Sequence, residues 1–311
     1  MLPTSTNALL EALRGLGFNK PGVDGHIHTW FKEDLPAVVR PAIGVRPDLN
    51  QDFVLSDLSR VAQRNGFRYL VPVQARDPVD NALAEAKMLQ EAWNQNQHVA
   101  GFVAGVDLTE GADVSCYLDK LCKHTGLRGV RSIAPENYGV GIFSSSRALE
   151  AATEIARRKL TLDVLFRCAN NGQLTEVVEF LLLLGARHEE PIVIDHLGKP
   201  LGLKAGKPEK DWLDAMERLG KTGRFYVKLS ALRGEAGQSA DRRPFFPYYD
   251  ALLQSFGPNR LIFGSDHPVS FDYVDCVLDL IEWFENRGLK GGQVNSFFHQ
   301  NAVDAYRLRV Q

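Results

Sequence analysis

The sequence lacks a charge excess of either sign. Lys plus Arg number 36 and Asp plus Glu 38, so the 311 residues carry a formal net charge of −2. Proteins that coat nucleic acid usually show a basic surplus, so no nucleic-acid partner is expected. Cysteine is scarce. Cys116, Cys122, Cys168 and Cys276 form no CxxC pair, which argues against a disulfide framework or a zinc ribbon and for free thiols in a reducing cytoplasm. Long apolar runs are missing as well. The longest, Phe180 to Leu184, stops at Gly185, far short of the ~20 residues a membrane span needs. Residues Met1 to Asn7 show no basic segment leading into an apolar one, so no secretion signal is read and a cytoplasmic location is expected. No GxGxxG follows the first strand, which weakens a dinucleotide-binding fold. No Ser/Pro/Gly-rich linker divides the chain, so one domain over 1–311 is expected, with a barrel core at about 22–290. The remaining composition, 44% hydrophobic and 24% charged, is ordinary for a globular protein. A chain this long buries a core without structural metal, so any metal would serve chemistry.

Short apolar runs alternate with longer amphipathic stretches. Eight strands are predicted: Val23–Trp30, Arg68–Gln74, Val99–Leu108, Leu127–Ile133, Leu160–Phe166, Pro191–Leu197, Phe225–Ser230 and Arg260–Asp266. Asn81–Asn94, Leu174–Leu184 and Val274–Phe284 show the 3.6-residue period of helices. Strand-end residues His28, Gln74, Asp107, Arg131, Phe166, His196, Ser230 and Asp266 recur 24 to 46 residues apart. Parallel strands need crossover helices, and eight such units predict an α/β fold, a closed (β/α)8 TIM barrel. A short N-terminal helical arm before Val23 and a C-terminal helix after Gly291 are left over. Gly202–Pro208 and Gly234–Arg243 read as long loops at the catalytic end.

Three strands deliver polar groups to that end. In Asp24-Gly25-His26-Ile27-His28 the alternation of strand side chains puts both histidines on one face. This is half of a site for a divalent metal or a polar substrate. Ile194-Asp195-His196-Leu197-Gly198-Lys199-Pro200 carries His196 to its strand end, and Phe263-Gly264-Ser265-Asp266-His267-Pro268 carries Asp266. Arg128 and Arg131 lie three apart, so they face opposite sides of their strand, with Arg131 placed to fork onto a carboxylate or lactone carbonyl. Arg131, Gln74, Trp30 and His267 are taken as substrate-binding positions. Asp107, Arg167, Lys228 and Ser230, also near strand ends, read as rim or packing residues. His98, His124, His188 and His299 read as structural, and Ser144–Ser146 as a helix cap.

These motifs resemble the amidohydrolase superfamily, in its "amidohydrolase 2" branch. Asp24 to His28 fits the opening Asp-x-His-x-His, Ile194 to Pro200 fits Ile-Asp-His-x-Gly-Lys-Pro, and Phe263 to Pro268 fits Phe-Gly-Ser-Asp-Trp-Pro with His267 in place of Trp. The blocks Val99–Leu108, Leu127–Arg131 and Asn301-Ala302 fit the rest, so the likeness runs from about Val23 to Leu308. Within the branch it looks closest to the lactonase group of fuconolactonases, rhamnonolactonases, sulfomuconolactone hydrolases and pyrone-dicarboxylate lactonases. The resemblance implies hydrolysis of a small acidic or polyhydroxylated lactone. It casts Asp266 as general base, with His26, His28 and His196 binding a metal or polarising the carbonyl. Those three histidines with Asp266 form an N/O set suited to zinc, although the branch is divided on metal need. Arg131 stands where a lysine would be carbamylated, which limits the site to one metal. Ser132 and His267 depart from the pattern and alter the expected pocket wall. Two other readings remain open: a zinc-dependent decarboxylase of the same superfamily, and a non-catalytic barrel binding sugar acids. A homo-oligomer is compatible with all three.

Overall fold

Alternation of apolar strands with amphipathic helices folds as a ring of parallel β-strands surrounded by helices. The computed structural model describes residues 6–36, 40, 44–75, 78–134, 145–168, 170–201, 203, 206–236, 241–270 and 272–310. Its strands are β1 (Gly22–Ile27), β2 (Phe67–Pro72), β3 (Phe102–Gly105), β4 (Leu127–Ala134), β5 (Thr161–Phe166), β6 (Ile192–Ile194), β7 (Phe225–Leu229) and β8 (Leu261–Phe263). The helices are α1 (Thr6–Gly15), α2 (Leu55–Arg64), α3 (Pro78–Gln95), α4 (Val114–Leu121), α5 (Ser146–Arg157), α6 (Asn171–Arg187), α7 (Lys210–Lys221), α8 (Phe246–Phe256), α9 (Tyr273–Arg287) and α10 (Asn301–Tyr306), with one-turn pieces between. Helix α1 is the predicted N-terminal arm. Parts of the two long loops read from the sequence, at 202, 204–205 and 237–240, lie outside the described residues, as does Ser144.

Strands β3 to β8 form one parallel sheet and β1–β2 another. Single bridges join them at both seams. Leu70 and Val73 bridge to Val99 and Val103 between β2 and β3, and Ile27 bridges to His267 past the end of β8. The backbone N–H of His28 donates to His267 O at 2.9 Å, and that of Asp266 donates to His26 O at 2.8 Å. The ring is therefore closed, and the α/β barrel expected from the eight-fold period is the fold observed.

Local chemistry explains the elements. Every residue of β1 is buried, as expected for strands covered on both faces. Helix α2 buries Leu55, Leu58, Ser59 and Ala62, the spacing of one helical stripe. Helix α5 is capped by Ser145, whose hydroxyl accepts from Ala148 N at 3.2 Å, and α9 by Asp272, which accepts from Val274 N at 2.7 Å. Gly288, with φ 65°, ends α9 in the left-handed conformation.

The structure has two apolar layers. The outer one lies between strands and helices. The inner one fills the base of the barrel with Val71, Val103, Val193 and Ile262, and α10 seals it with Ala302, Ala305 and Tyr306. Above that seal the interior turns polar, and this sets the position of the site.

The strands are shorter than predicted at the catalytic end. Strand β6 stops at Ile194 and β8 at Phe263. His196, Leu197 and Asp266 follow with φ of 53°, 57° and 54°. These left-handed residues break the strand ladder, at a cost of about 1–3 kcal/mol each. The indole N–H of Trp212 on α7 donates to Leu197 O at 3.0 Å and holds that turn.

Candidate active site

The described part of the structure brings His26, His28, His196 and Asp266 to one point at the C-terminal ends of β1, β6 and β8. His26 Nε2 lies 3.1 Å from His28 Nε2. Asp266 Oδ1 lies 3.3 Å from His28 Nε2, 3.6 Å from His26 Nε2 and 3.8 Å from His196 Nε2. All four side chains are buried. Close approach of β8 to β1 requires Gly264, because a Cβ there would sit 2.6 Å from the Cβ of His26.

Each imidazole is held from behind. His28 Nδ1 lies 2.9 Å from the Val73 carbonyl, so Nδ1 carries the proton and Nε2 turns its lone pair to the centre. His196 Nδ1 pairs with the Ser230 hydroxyl at 2.7 Å. His26 Nδ1 faces the Lys228 ammonium at 3.0 Å and Asp195 Oδ1 at 3.5 Å. Asp266 Oδ2 accepts from Ser270 Oγ at 2.8 Å, which leaves Oδ1 toward the imidazoles.

Burial sets the protonation states. It holds His26 well below its usual value, reinforced by the Lys228 charge, and does the same for His196. Both are neutral bases at neutral pH. Burial alone would raise Asp266, but His196, His28 and Ser270 outweigh it, and the carboxyl lies below its ordinary range. The centre thus presents one carboxylate to three imidazoles, of which His26 and His196 are held neutral.

This set fits a divalent cation. Tetrahedral zinc, with bonds of about 2.05 Å, spaces its ligands about 3.3 Å apart. Four of the six separations among these ligand atoms run from 3.1 to 3.8 Å. Ligand atoms of His26, His196 and Asp266 all lie within 4.8 Å of one another.

Beneath the site lies a buried ion network. Lys228 Nζ donates to Asp163 Oδ2 at 2.6 Å and pairs with Asp195 Oδ1 at 3.0 Å. Arg131 Nη1 lies 3.3 Å from Asp195 Oδ2 and 3.3 Å from His26 Nε2. Tyr306 of α10 donates its hydroxyl to Asp163 Oδ2 at 2.8 Å, which joins the barrel plug to the network. Burial alone would raise Asp195, but the Lys228 charge and His26 outweigh it and hold the carboxyl well below its usual value, whereas burial raises Asp163 to about 6. Across the seam, Asp24 accepts from Ser265 Oγ, Ser265 N and His26 N at 2.6, 3.0 and 3.1 Å. Desolvation lifts its pKa to about 6.

The four positions read as substrate-binding have separate placements. Arg131 and Arg128 do face opposite sides, but the Arg131 guanidinium is engaged inside the protein. Its Nε donates to Gln74 Oε1 at 2.9 Å and its Nη2 to Gln74 O. Arg131 is therefore a cation behind His26 and no open fork for a substrate, and Gln74 is its brace. Trp30 is fully buried against Leu49, Phe53 and Ala75. The His267 ring lies between Phe53 and Tyr273, with centroids 6.3 and 5.9 Å away. Asp163, Asp195, Lys228, Ser230 and Asp24 were not singled out from the sequence as site residues. The signal for Asp163 and Lys228 is a charge inside an otherwise apolar strand, as in Thr161-Leu162-Asp163-Val164 and Tyr226-Val227-Lys228-Leu229.

Among the remaining histidines, His98, His188 and His299 turn Nδ1 to backbone carbonyls. The four cysteines are free thiols, and no described helix is long and apolar enough to cross a membrane.

Comparisons with known proteins agree with this geometry. The sequence profile of the amidohydrolase family, Amidohydro_2, matches residues 23–308. The chain is 28% identical over 250 residues to an L-fucono-1,5-lactonase of Burkholderia ambifaria, covering 80% of each protein. It is 27% identical over 302 residues to an L-fucono-1,5-lactonase of Burkholderia multivorans, covering 92% of this chain and 96% of that one. A crystal structure of a Burkholderia multivorans amidohydrolase with bound zinc superimposes with a TM-score of 0.79 at 26% identity, over 93% of this chain and 100% of the other. With the barrel, the strand-end histidines and the β8 aspartate in place, the chain belongs to the amidohydrolase family of hydrolases.

Proposed function

We propose that the protein opens a small polar or acidic lactone, a sugar-acid or dicarboxylate lactone, by water attack on the ester carbonyl. One observation carries the reading. An ionised Asp266 faces three imidazoles at a strand-end site, in a chain similar over most of its length to two fuconolactonases. Asp266 takes a proton from the attacking water. The water oxygen bonds to the carbonyl carbon, the ring C–O bond breaks, and the proton returns to the leaving alkoxide. One hydroxy acid results.

The chain supplies positive charge behind the imidazoles. Arg131 stands 3.3 Å behind His26 Nε2, and Lys228 stands 3.0 Å from His26 Nδ1. In a water-excluded interior such fixed charges act strongly and need no reorganisation. His26, His28, His196 and Asp266 would hold a divalent ion, and their three nitrogens and one oxygen favour zinc. A zinc ion bound there would polarise the carbonyl and acidify the water.

A panel of sugar-acid and dicarboxylate lactones, followed by acid release, tests the proposal. Turnover of at least one member is expected. A folded, zinc-supplemented protein that opens none overturns it. Release of carbon dioxide from an aromatic acid would instead identify a decarboxylase.

A further inference from the structure

The barrel face opposite the candidate active site carries a cavity of about 700 Å³. The segments entering β3, β4 and β5 and the tail after α10 enclose it. Its charged lining consists of Arg128, Arg158, Lys159, Arg307 and Arg309, and no Asp or Glu lines it among the described residues. Two of these cations are already neutralised. Arg158 pairs with Asp119 and Glu154, and Arg307 with Glu190. Arg128, Lys159 and Arg309 make no ion pair with any described residue.

Arg128 is built into the cavity wall. Its Nη1 donates to Thr125 O at 2.9 Å and Leu127 O at 2.8 Å. Its Nε is buried with no hydrogen-bond partner among the described residues. The stem crosses Gly101, where a Cβ would lie 2.4 Å from Arg128 Cγ, so only glycine leaves room for it. Burial and the Arg309 charge both lower the pKa of Arg128. Both guanidinium groups line the same cavity, and neither has a counter-ion among the described residues. Charged groups held this way are costly to desolvate, and an anion offering oxygen acceptors relieves that cost. Val99, Leu127, Leu160 and the half-buried Trp93 supply an apolar side to the same cavity.

We propose that this cavity binds a small organic phosphate, with at least two negative charges held by Arg128, Lys159 and Arg309 and an apolar or planar body against Trp93. Its volume is that of an ordinary small-molecule site. The site is separate from the lactone chemistry, so either reading stands or falls alone.

Calorimetric titration of the full chain with ADP and with pyrophosphate, at low and moderate salt, tests this. Saturable one-to-one binding is expected, with ADP tighter than pyrophosphate. Arg309→Gln, at an exposed side chain with no described ion pair, should weaken ADP about tenfold or more. Lys159→Gln should act in the same direction, and lactone turnover should stay at the wild-type rate in both variants. No saturable binding of either probe overturns the proposal, as does unchanged ADP affinity in Arg309→Gln. Pyrophosphate binding as tight as ADP overturns the role of Trp93.

Discussion

The Lys228 ammonium nitrogen lies 3.0 Å from His26 Nδ1, and both side chains are fully buried. This contact joins the ion network of the barrel interior to the candidate active site. The Lys228 ammonium faces His26 Nδ1, while His28 Nδ1–H donates to Val73 O and so turns the His28 Nε2 lone pair toward the centre, 3.1 Å from His26 Nε2. Lys228→Met removes the cation and leaves Asp163 without an ion-pair partner in the interior, while Asp195 keeps only Arg131. A loss of about 3–5 kcal/mol is expected, read by urea unfolding, and Lys228→Met/Asp163→Asn should recover part of it. A single variant within about 1 kcal/mol of wild type would show that the network carries no such strain.

Ser230 reaches the site through His196, its hydroxyl 2.7 Å from the imidazole Nδ1. It is a positioning residue. Ser230→Ala should lower lactone kcat/KM about 10- to 100-fold, at a cost of about 1 kcal/mol in stability. Full activity in the variant would mean that packing alone orients His196.

The acid limb of activity follows from the pKa directions. His26, His196 and Asp266 all lie below their ordinary values. Each therefore keeps its basic form as pH falls past the usual histidine range. The kcat/KM profile should stay level from neutrality through about pH 6.5 and decline only below it. A half-loss centred at pH 6.5 or above would contradict the buried, neutral imidazoles.

His188 gives a stability test away from the site. It is buried, its Nδ1 pairs with Glu190 O at 3.1 Å, and burial lowers its pKa from 6.5. Below pH 6.5 the unfolded chain binds a proton that the native state refuses, so this residue's contribution is present above pH 6.5 and lost as pH falls. The stability of His188→Gln relative to wild type should therefore improve as pH drops below 6.5, measured by denaturant unfolding across pH. A difference independent of pH would place the His188 proton in both states.

Much of this architecture was legible because barrel geometry follows local pattern. Alternation in Asp24-Gly25-His26-Ile27-His28 put both histidines on one face, and the strand motifs carried His196 and Asp266 to the same end. The three-residue offset of Arg128 and Arg131 put them on opposite sides, and the structure places Arg131 inside and Arg128 at the cavity on the opposite barrel face. The interior network was not legible in the same way. Asp163 on β5, Lys228 on β7 and Asp195 just past β6 meet only when these strands pair, so no spacing along the chain marks them as partners. The placement of Arg131 was not legible for a related reason. A strand-end arginine reads as a free fork until Gln74, from another strand, takes up its guanidinium. Left-handed residues at His196 and Asp266 shortened β6 and β8, because the turn that aims these side chains inward also ends the ladder.

The most direct test of the account is Asp266→Asn, assayed on the best lactone of the panel beside its thermal unfolding. The variant keeps an acceptor for Ser270 Oγ and removes only the base. Its kcat should fall by about 10²–10⁴-fold, with Tm nearly unchanged. Wild-type turnover in a folded Asp266→Asn protein would contradict the assignment of Asp266 as the base that activates water.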